Sequence, residues 1–365
     1  MIPAGAPLAP SAPARRPRVL VADDSVVVRG LIGRWLAESG IDVVASVSNG
    51  RAAVEALDRV DPDIVLLDLD MPELDGLGAL PRLLAKRPAL TVVVVSTLTK
   101  RNAEISLKCL RLGAIDYLPK PETNREVTTS TSFRQELVAK VEALARPLRR
   151  TAGDGTFPRP VAFSSPLRLL PVVPRCLLIG ASTGGPKAIG QVLAETGEAL
   201  RAVPILIVQH MPPIFTAVFA EHLSAQLGLP AREAQHGEAL LAGRIYVAPG
   251  GRHMGVANRG DIAAIRLDDS APVNFCRPAV DVLFRDAAAV FGSSALALVL
   301  TGMGSDGLQG CRALSQAGAG VIVQDEVTST VWGMPGHVAR AGLAREVLPL
   351  DDIGTAVARL VGGGR

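Results

Sequence analysis

The chain has 365 residues, long for one domain and enough for two that each bury a core. Nearly half of them are hydrophobic but few are aromatic, a balance that suits Val/Leu/Ala-packed α/β domains. The formal net charge of +3 is small for this length, and much of the basic excess lies in Arg-rich tail and linker segments, so a nucleic-acid footprint is not indicated.

Residues 1–17 carry prolines where a signal peptide needs an apolar helix, and they read as a disordered lead-in. From Arg18 onward, short apolar runs alternate with amphipathic segments. Strands are expected at Val19–Ala22, Val43–Ser46, Ile64–Leu67, Thr91–Val95 and Asp116–Leu118, with helical patterns between them and a last one at Ser132–Arg146. Five such alternations predict a doubly wound parallel sheet over residues 18–146, with its ligands beyond the carboxyl ends of the strands.

That rule singles out the residues that follow each strand. They are Asp23 and Asp24, then Asp68, then Ser96 and Thr97, and finally Lys120 before Pro121. Three carboxylates at one sheet edge repel one another unless a cation neutralises them, and a hard, oxygen-seeking ion such as Mg2+ fits. A lysine and a hydroxyl aimed at the same point would complete a phosphoryl site. Any one of these acids alone would be an ordinary solvated loop residue.

With those motifs, and with Asp68-Leu-Asp-Met-Pro-Glu-Leu-Asp-Gly76 and Val95-Ser96-Thr97, the segment resembles a response-regulator receiver domain. The resemblance implies that Asp68 accepts a phosphoryl group from a histidine kinase. It further implies that Asp23 and Asp24 hold Mg2+ with help from the backbone carbonyl of Asp70. Ser96 would be the switch hydroxyl, Tyr117 the rotating aromatic, and Lys120 the partner of the phosphate.

Residues 147–173 are rich in Pro, Gly, Ser and Arg without sustained periodicity, and they read as a mobile linker. The α/β rhythm resumes over 174–362. Strand patterns occur at Cys176–Ile179, Pro204–Val208, Arg244–Val247, Ala295–Leu300 and Gly320–Val323. Helical patterns lie at Pro186–Glu195, Phe215–Leu227, Val280–Phe291 and Leu308–Ala317, so a second largely parallel sheet with helices on both faces is expected. No apolar run is long enough to span a bilayer, and direct membrane insertion is not expected. The four cysteines, Cys109, Cys176, Cys276 and Cys311, lack metal-type spacing and read as reduced, mostly buried thiols of a cytoplasmic protein.

The first strand of this half runs into Gly180-Ala-Ser182-Thr-Gly-Gly-Pro186, the pattern of a nucleophile elbow on a strand-to-helix turn. A turn of this kind also serves as a phosphate cradle. A serine nucleophile needs a base. His210 ends the run Ile205-Leu-Ile-Val-Gln-His210 and so projects from a strand end. His253, on a glycine-rich loop, competes with it, whereas His222, His236 and His337 fall on helix or turn patterns. An orienting acid follows another apolar run in Thr301-Gly-Met-Gly-Ser-Asp306-Gly307, with Asp281 and Asp325 as weaker candidates.

Together with Gln209-His-Met-Pro212, Ala248-Pro-Gly-Gly251, Arg277-Pro278 and Gly333-Met-Pro335, these segments resemble the catalytic domain of the chemotaxis protein-glutamate methylesterase/glutaminase family. That resemblance implies hydrolysis of glutamate γ-methyl esters, and deamidation of glutamines, on methylated chemoreceptors. It implies Ser182 as nucleophile, His210 as base and Asp306 as orienting acid, with backbone N–H groups of Thr183 and Met303 as oxyanion donors. No cofactor is implied for the esterase. The family pattern leads one to expect serine at 279, where this chain has Ala279. A non-enzymatic adaptor and a DNA-binding response regulator are the competing classes; the second is disfavoured because the output half is a long α/β pattern rather than a short basic helix-turn-helix.

Overall fold

The protein is described from a computed structural model, which covers residues 15–121, 127, 130–153 and 172–362. Residues 1–14 of the expected tail and 154–171 of the expected linker lie outside the described residues.

In the first half the elements run β1 (Arg18–Ala22), α1 (Val26–Glu38), β2 (Asp42–Val47), α2 (Gly50–Ala56), β3 (Ile64–Asp68), α3 (Gly76–Lys86), β4 (Thr91–Thr97), α4 (Lys100–Arg111), β5 (Asp116–Lys120) and α5 (Thr131–Gly153). Ser25, Asn49, Asp75 and Thr99 each accept a backbone N–H from the first turn of the helix they precede, which starts α1 to α4 where the sequence pattern breaks. The strands form a parallel sheet in the order β2-β1-β3-β4-β5. Strand order reverses at β1, so the ends of β1 and β3 border a crevice. The closing helix, expected to stop at Arg146, continues to Gly153.

The second half runs β6 (Cys176–Ala181), α6 (Gly185–Thr196), β7 (Ile205–Gln209), α7 (Phe215–Leu227), β8 (Ala231–Glu233), β9 (Ile245–Val247), β10 (His253–Arg259), β11 (Ile262–Asp268), α8 (Val280–Phe291), β12 (Ala295–Val299), α9 (Leu308–Gln316), β13 (Gly320–Gln324), α10 (Met334–Arg340), β14 (Glu346–Leu348) and α11 (Leu350–Val361). Seven strands form a parallel sheet in the order β14-β13-β12-β6-β7-β9-β8, and β10 and β11 pair separately as an antiparallel hairpin. Every residue of β6, β7, β12 and β13 is buried, as expected of parallel strands covered on both faces. Here the order reverses at β6, with β7 on one side and β12 on the other. The ends of those three strands are where Ser182, His210 and Thr301 emerge.

The sequence patterns anticipated the central strands and a late helical pattern at His337, which lies in α10, but missed β8, β14, the β10–β11 hairpin and the last helix. β8 and β14 have three residues each, too short for a periodicity to register. The hairpin strands end in charged residues, Arg259 and Asp268, that broke the apolar run.

The two halves touch. Helix α4 packs across α7, and the ring of Tyr117 on β5 stacks on Phe215, the first residue of α7, with centroids 4.5 Å apart and planes 8° from parallel. Both rings are buried, at 4% and 0% exposure, and one apolar cluster runs continuously from the first sheet into the second. Tyr117→Ala and Phe215→Ala, made singly and together, should therefore be non-additive by about 0.5–1.5 kcal/mol in denaturant unfolding. Additive losses would show that the stack contributes nothing beyond burial.

Candidate functional site

Two clusters gather at the strand ends, one in each half. In the first, Asp23 and Asp68 are buried at 2% and 1% exposure, while Asp24 is exposed at the mouth. Lys120 Nζ donates to Asp68 Oδ2 at 2.6 Å and to Asp23 Oδ2 at 3.1 Å. Burial pushes the Asp68 carboxyl up to about 7, with the Asp23 charge adding to the effect and the Lys120 ammonium opposing it. Burial alone would lower Lys120, but Asp68 and Asp23 hold it above the usual lysine value.

A cavity of about 170 Å3 opens over this cluster, lined by Asp24, Asp68, Asp70, Thr97 and Lys120 among others. Carboxylate oxygens of Asp23, Asp24 and Asp68 lie within 4.8 Å of one another. This all-oxygen donor set fits a hard divalent cation. Of the predicted switch residues, Lys120 lines the cavity, whereas Ser96 and Tyr117 face elsewhere. Ser96 Oγ is fully buried and shares a hydrogen bond of 2.9 Å with Ser106 Oγ on α4, so Thr97 rather than Ser96 lines the cavity. Tyr117 lies in the contact with α7.

In the second half, Ser182 follows β6 and is half-buried. Its N–H donates to Thr301 O at 3.0 Å, and its own carbonyl accepts from Gln209 Nε2 at 2.9 Å and from Gly185 N at 2.8 Å. Thr301 Oγ1 then donates to Thr183 O at 2.9 Å. The serine turn is thus held from both neighbouring strands. Gly184, with φ of 76°, takes the left-handed conformation that turns the chain into α6.

His210 follows β7, and its N–H donates to Ala181 O at 3.1 Å. Its Nε2 lies 2.8 Å from Asp306 Oδ2. Asp306 is 2% exposed and also accepts from Val280 N at 2.6 Å, Asp281 N at 3.1 Å, Gly307 N at 3.0 Å and Asn274 Nδ2 at 3.1 Å. Burial would raise its carboxyl, but His210 and these N–H groups hold it below the usual carboxylate range. Helix α8 has no side-chain cap at Ala279. With no serine there, Asp306 receives the first two N–H groups of the helix instead.

When the ring is neutral and its Nε2–H points at Asp306, Nδ1 is the acceptor nitrogen. Among the described residues, Nδ1 faces Cys276 Sγ at 3.6 Å, and Ser182 Oγ makes no hydrogen bond to the ring. Burial alone would lower the imidazole, yet the hydrogen bonds to Asp306 and to Cys276 push it up to about 10. The N–H groups of Thr183 and Met303 donate to no protein acceptor among the described residues.

The competing residues have other work. His253 is fully buried at the start of β10, where Nδ1 accepts from Ala279 N at 3.2 Å and Nε2 faces Ala271 O at 3.1 Å. Asp281 accepts from Gly310 N and Asn274 Nδ2, and Asp325 caps the turn at Thr328. The sequence reading missed Asn274, Gln209 and Thr301 as supports of the site. It also treated Cys276 as one of the scattered buried thiols. Cys109, Cys176 and Cys311 are buried, but Cys276 is half-buried beside the imidazole. Nothing in its spacing could have indicated this, since the contact closes a loop between distant segments.

A family model described as CheB methylesterase matches residues 177–357, and one described as a response regulator receiver domain matches residues 19–132. The chain is 49% identical over 385 residues to the protein-glutamate methylesterase/protein-glutamine glutaminase of group 2 operon from Rhodopseudomonas palustris, covering 99% of this chain and 98% of that one. It is 50% identical over 359 residues to the protein-glutamate methylesterase/protein-glutamine glutaminase of Nitrobacter hamburgensis, covering 95% and 94%. The crystal structure of the Thermotoga maritima CheB methylesterase catalytic domain superimposes with a TM-score of 0.50 at 37% identity, covering 52% of this chain and 100% of that one.

Gly302 packs directly on the serine turn: a Cβ there would meet Ser182 Cβ and N at 3.0 Å and collide with Met334 Sδ. Gly302→Ala should cost about 1–3 kcal/mol in denaturant unfolding. A stability equal to that of the parent protein would mean that the turn has slack the packing does not suggest.

Proposed function

The chain belongs to the CheB methylesterase family, and from that premise we propose that Ser182, His210 and Asp306 hydrolyse glutamate γ-methyl esters, and deamidate glutamine side chains, on chemoreceptors. The protein is a protein-glutamate methylesterase and protein-glutamine glutaminase whose receiver domain places it under control by phosphorylation. The observation that carries the site assignment is the 2.8 Å contact of a buried, fully hydrogen-bonded Asp306 with His210, beside Ser182 at the point where strand order reverses.

In this reading Asp306 fixes the Nε2–H tautomer and stabilises the imidazolium that forms. His210 Nδ1 takes the hydroxyl proton as Ser182 Oγ attacks the ester carbonyl. The tetrahedral oxyanion is received by the unengaged N–H groups of Thr183 and Met303. Nδ1 returns the proton to the departing methanol, or to ammonia from an amide. A water activated by the same nitrogen then releases the carboxylate. To begin this cycle, the imidazole exchanges its contact with Cys276 for one with Ser182.

The receiver half supplies the control. Asp68 attacks the phosphorus of a phosphohistidine on a chemotaxis histidine kinase, and Lys120 pairs with the transferred group. Asp23, Asp24, Asp68 and the Asp70 carbonyl would hold Mg2+, which neutralises charge on the phosphoryl oxygens. Ser96 and Tyr117 then report the modified state. Tyr117 supports this because its ring is the one that stacks on α7 of the catalytic half. Control of this kind is a population shift set by contacts that differ between the two states. Among the described residues no helix is long and apolar enough to cross a membrane. We place the enzyme in the cytoplasm, acting on the cytoplasmic helices of its receptors.

Ser182→Ala and His210→Ala should each lower kcat for methanol release from methylated receptor by roughly four orders of magnitude or more, because the members of a triad act as a unit. Near-normal release by either variant would overturn the assignment. Asp68→Asn should keep the basal rate and lose stimulation by a small phosphodonor, and stimulation that survived would refute the control scheme.

A general base must be neutral, so activity appears as pH rises through the His210 pKa. Cys276 is among the groups that raise that pKa. Cys276→Ala should move the acid limb of the kcat/KM profile to lower pH, and an unmoved limb would show that the sulfur contact does not persist in solution.

A further inference from the structure

The pairing of His210 with Cys276, which the hydrolytic cycle has to break, has the chemistry of a metal site. We propose that Cys276 and His210 form a binding site for a thiophilic divalent cation, with Zn2+ as its representative, and that occupation of this site reversibly shuts the esterase. The inference rests on the preceding reading for its effect on activity, but not for the binding itself.

Three features of the structure carry it. The first is distance. Zn2+ binds imidazole nitrogen at about 2.0–2.1 Å and thiolate sulfur at about 2.3 Å, and a tetrahedral angle between those bonds separates the two ligand atoms by about 3.6 Å. Cys276 Sγ and His210 Nδ1 are 3.6 Å apart, the separation that two ligands of one such ion require.

The second feature is the group behind the histidine. Metal-bound imidazoles usually donate their other N–H to a carboxylate, which fixes the tautomer and raises ligand basicity. Asp306 Oδ2 does this at Nε2, and Asp306 is itself held by four further donors. The arrangement that prepares His210 Nδ1 to accept a proton also prepares it to accept a metal.

The third feature is access. Cys276 is half-buried, whereas burial pushes the Cys109 thiol up to about 12 and raises Cys176 and Cys311 further, with all three enclosed in the cores. None of those three competes for an ion arriving from solvent. The hairpin-like turn that carries Cys276 is also constrained, with Asn274 and Phe275 both at positive φ and paired backbone hydrogen bonds between Val273 and Cys276. Phe275 is fully exposed at its tip, so the turn borders solvent.

In chemical terms the Cys276 S–H and, where the imidazole is protonated, the His210 Nδ1–H release their protons to solvent, the thiolate and the Nδ1 lone pair each donate to the cation, and no electron is transferred. The remaining coordination positions are left to solvent. With two protein ligands the site is weaker than a structural zinc site, which suits reversible inhibition. Occupation removes the only acceptor on His210 that can receive the Ser182 proton. The carboxylate cluster of the receiver offers only oxygen ligands and no thiolate, so the two sites are told apart by the sulfur ligand of Cys276.

The test uses the full-length protein. Zn2+ should inhibit methanol release, a chelator should restore it, and equal Mg2+ should not inhibit. In Cys276→Ala, measured against its own zinc-free rate, half-inhibition should need roughly tenfold more Zn2+ or higher. Binding is read separately with Co2+, which should give a thiolate-to-cobalt charge-transfer absorption in the parent protein and none in Cys276→Ala. Ser182→Ala should retain that absorption while lacking esterase activity. Equal Zn2+ sensitivity of the parent and Cys276→Ala, or a Co2+ spectrum without the thiolate band, would overturn the proposal. An active Ser182→Ala would instead overturn the triad reading and leave the metal site standing.

Discussion

Asp306 is a buried anion with five donors around it, drawn from three separate parts of the chain. His210 comes from the end of β7, Val280 and Asp281 from the first turn of α8, and Asn274 from the turn before that helix. Gly307 adds the start of α9. A carboxylate taken out of water without such partners would cost several kcal/mol, so the folded state tolerates it only where all of these donors converge. The same convergence removes the need for a cap at Ala279, because the helix donates its free N–H groups to the acid. Its partial positive end also favours the ionised form. A single group therefore orients the imidazole, starts α8 and ties β12 to β7.

Both halves build their sites by the same rule. A parallel sheet puts the ends of its strands on one edge, and a reversal of strand order opens a crevice between two of them. In the first sheet that crevice gathers acids and a lysine, and in the second it gathers a hydroxyl, an imidazole and a carboxylate. The connection between the halves runs through Tyr117 and Phe215, and Phe215 lies on the same segment as His210, across Met211-Pro212-Pro213-Ile214. Packed rings thus join β5 to the segment that carries the imidazole.

Much of this could be read before any coordinates. Alternating apolar runs marked the central strands, and the residues singled out at their ends gather in two clusters: Asp23, Asp68 and Lys120 meet within hydrogen-bonding distance, as do His210 and Asp306. The reading of Ser182 as the elbow agrees with its location on a left-handed turn into α6. What escaped was of two kinds. Strands of three residues and a hairpin ending in charges carry too little periodicity to detect. The supporting residues, Asn274, Gln209, Thr301 and Cys276, act through contacts between segments whose separation in sequence bears no relation to their distance in space. Ser96 was correctly placed at a strand end, but its hydroxyl turned out to be paired with Ser106 on α4 rather than facing the cavity.

The sequence alone determined the class of both domains, the order of their central strands along the chain and which side chains would stand at the strand ends, because hydrophobic periodicity and turn residues are local properties. Only the tertiary structure decided which histidine faces Asp306, what stands on its other nitrogen, and how the helix at Ala279 begins without a cap. Those outcomes depend on where backbone donors and a half-buried sulfur come to rest after the loops close, and no pattern of neighbouring residues encodes that.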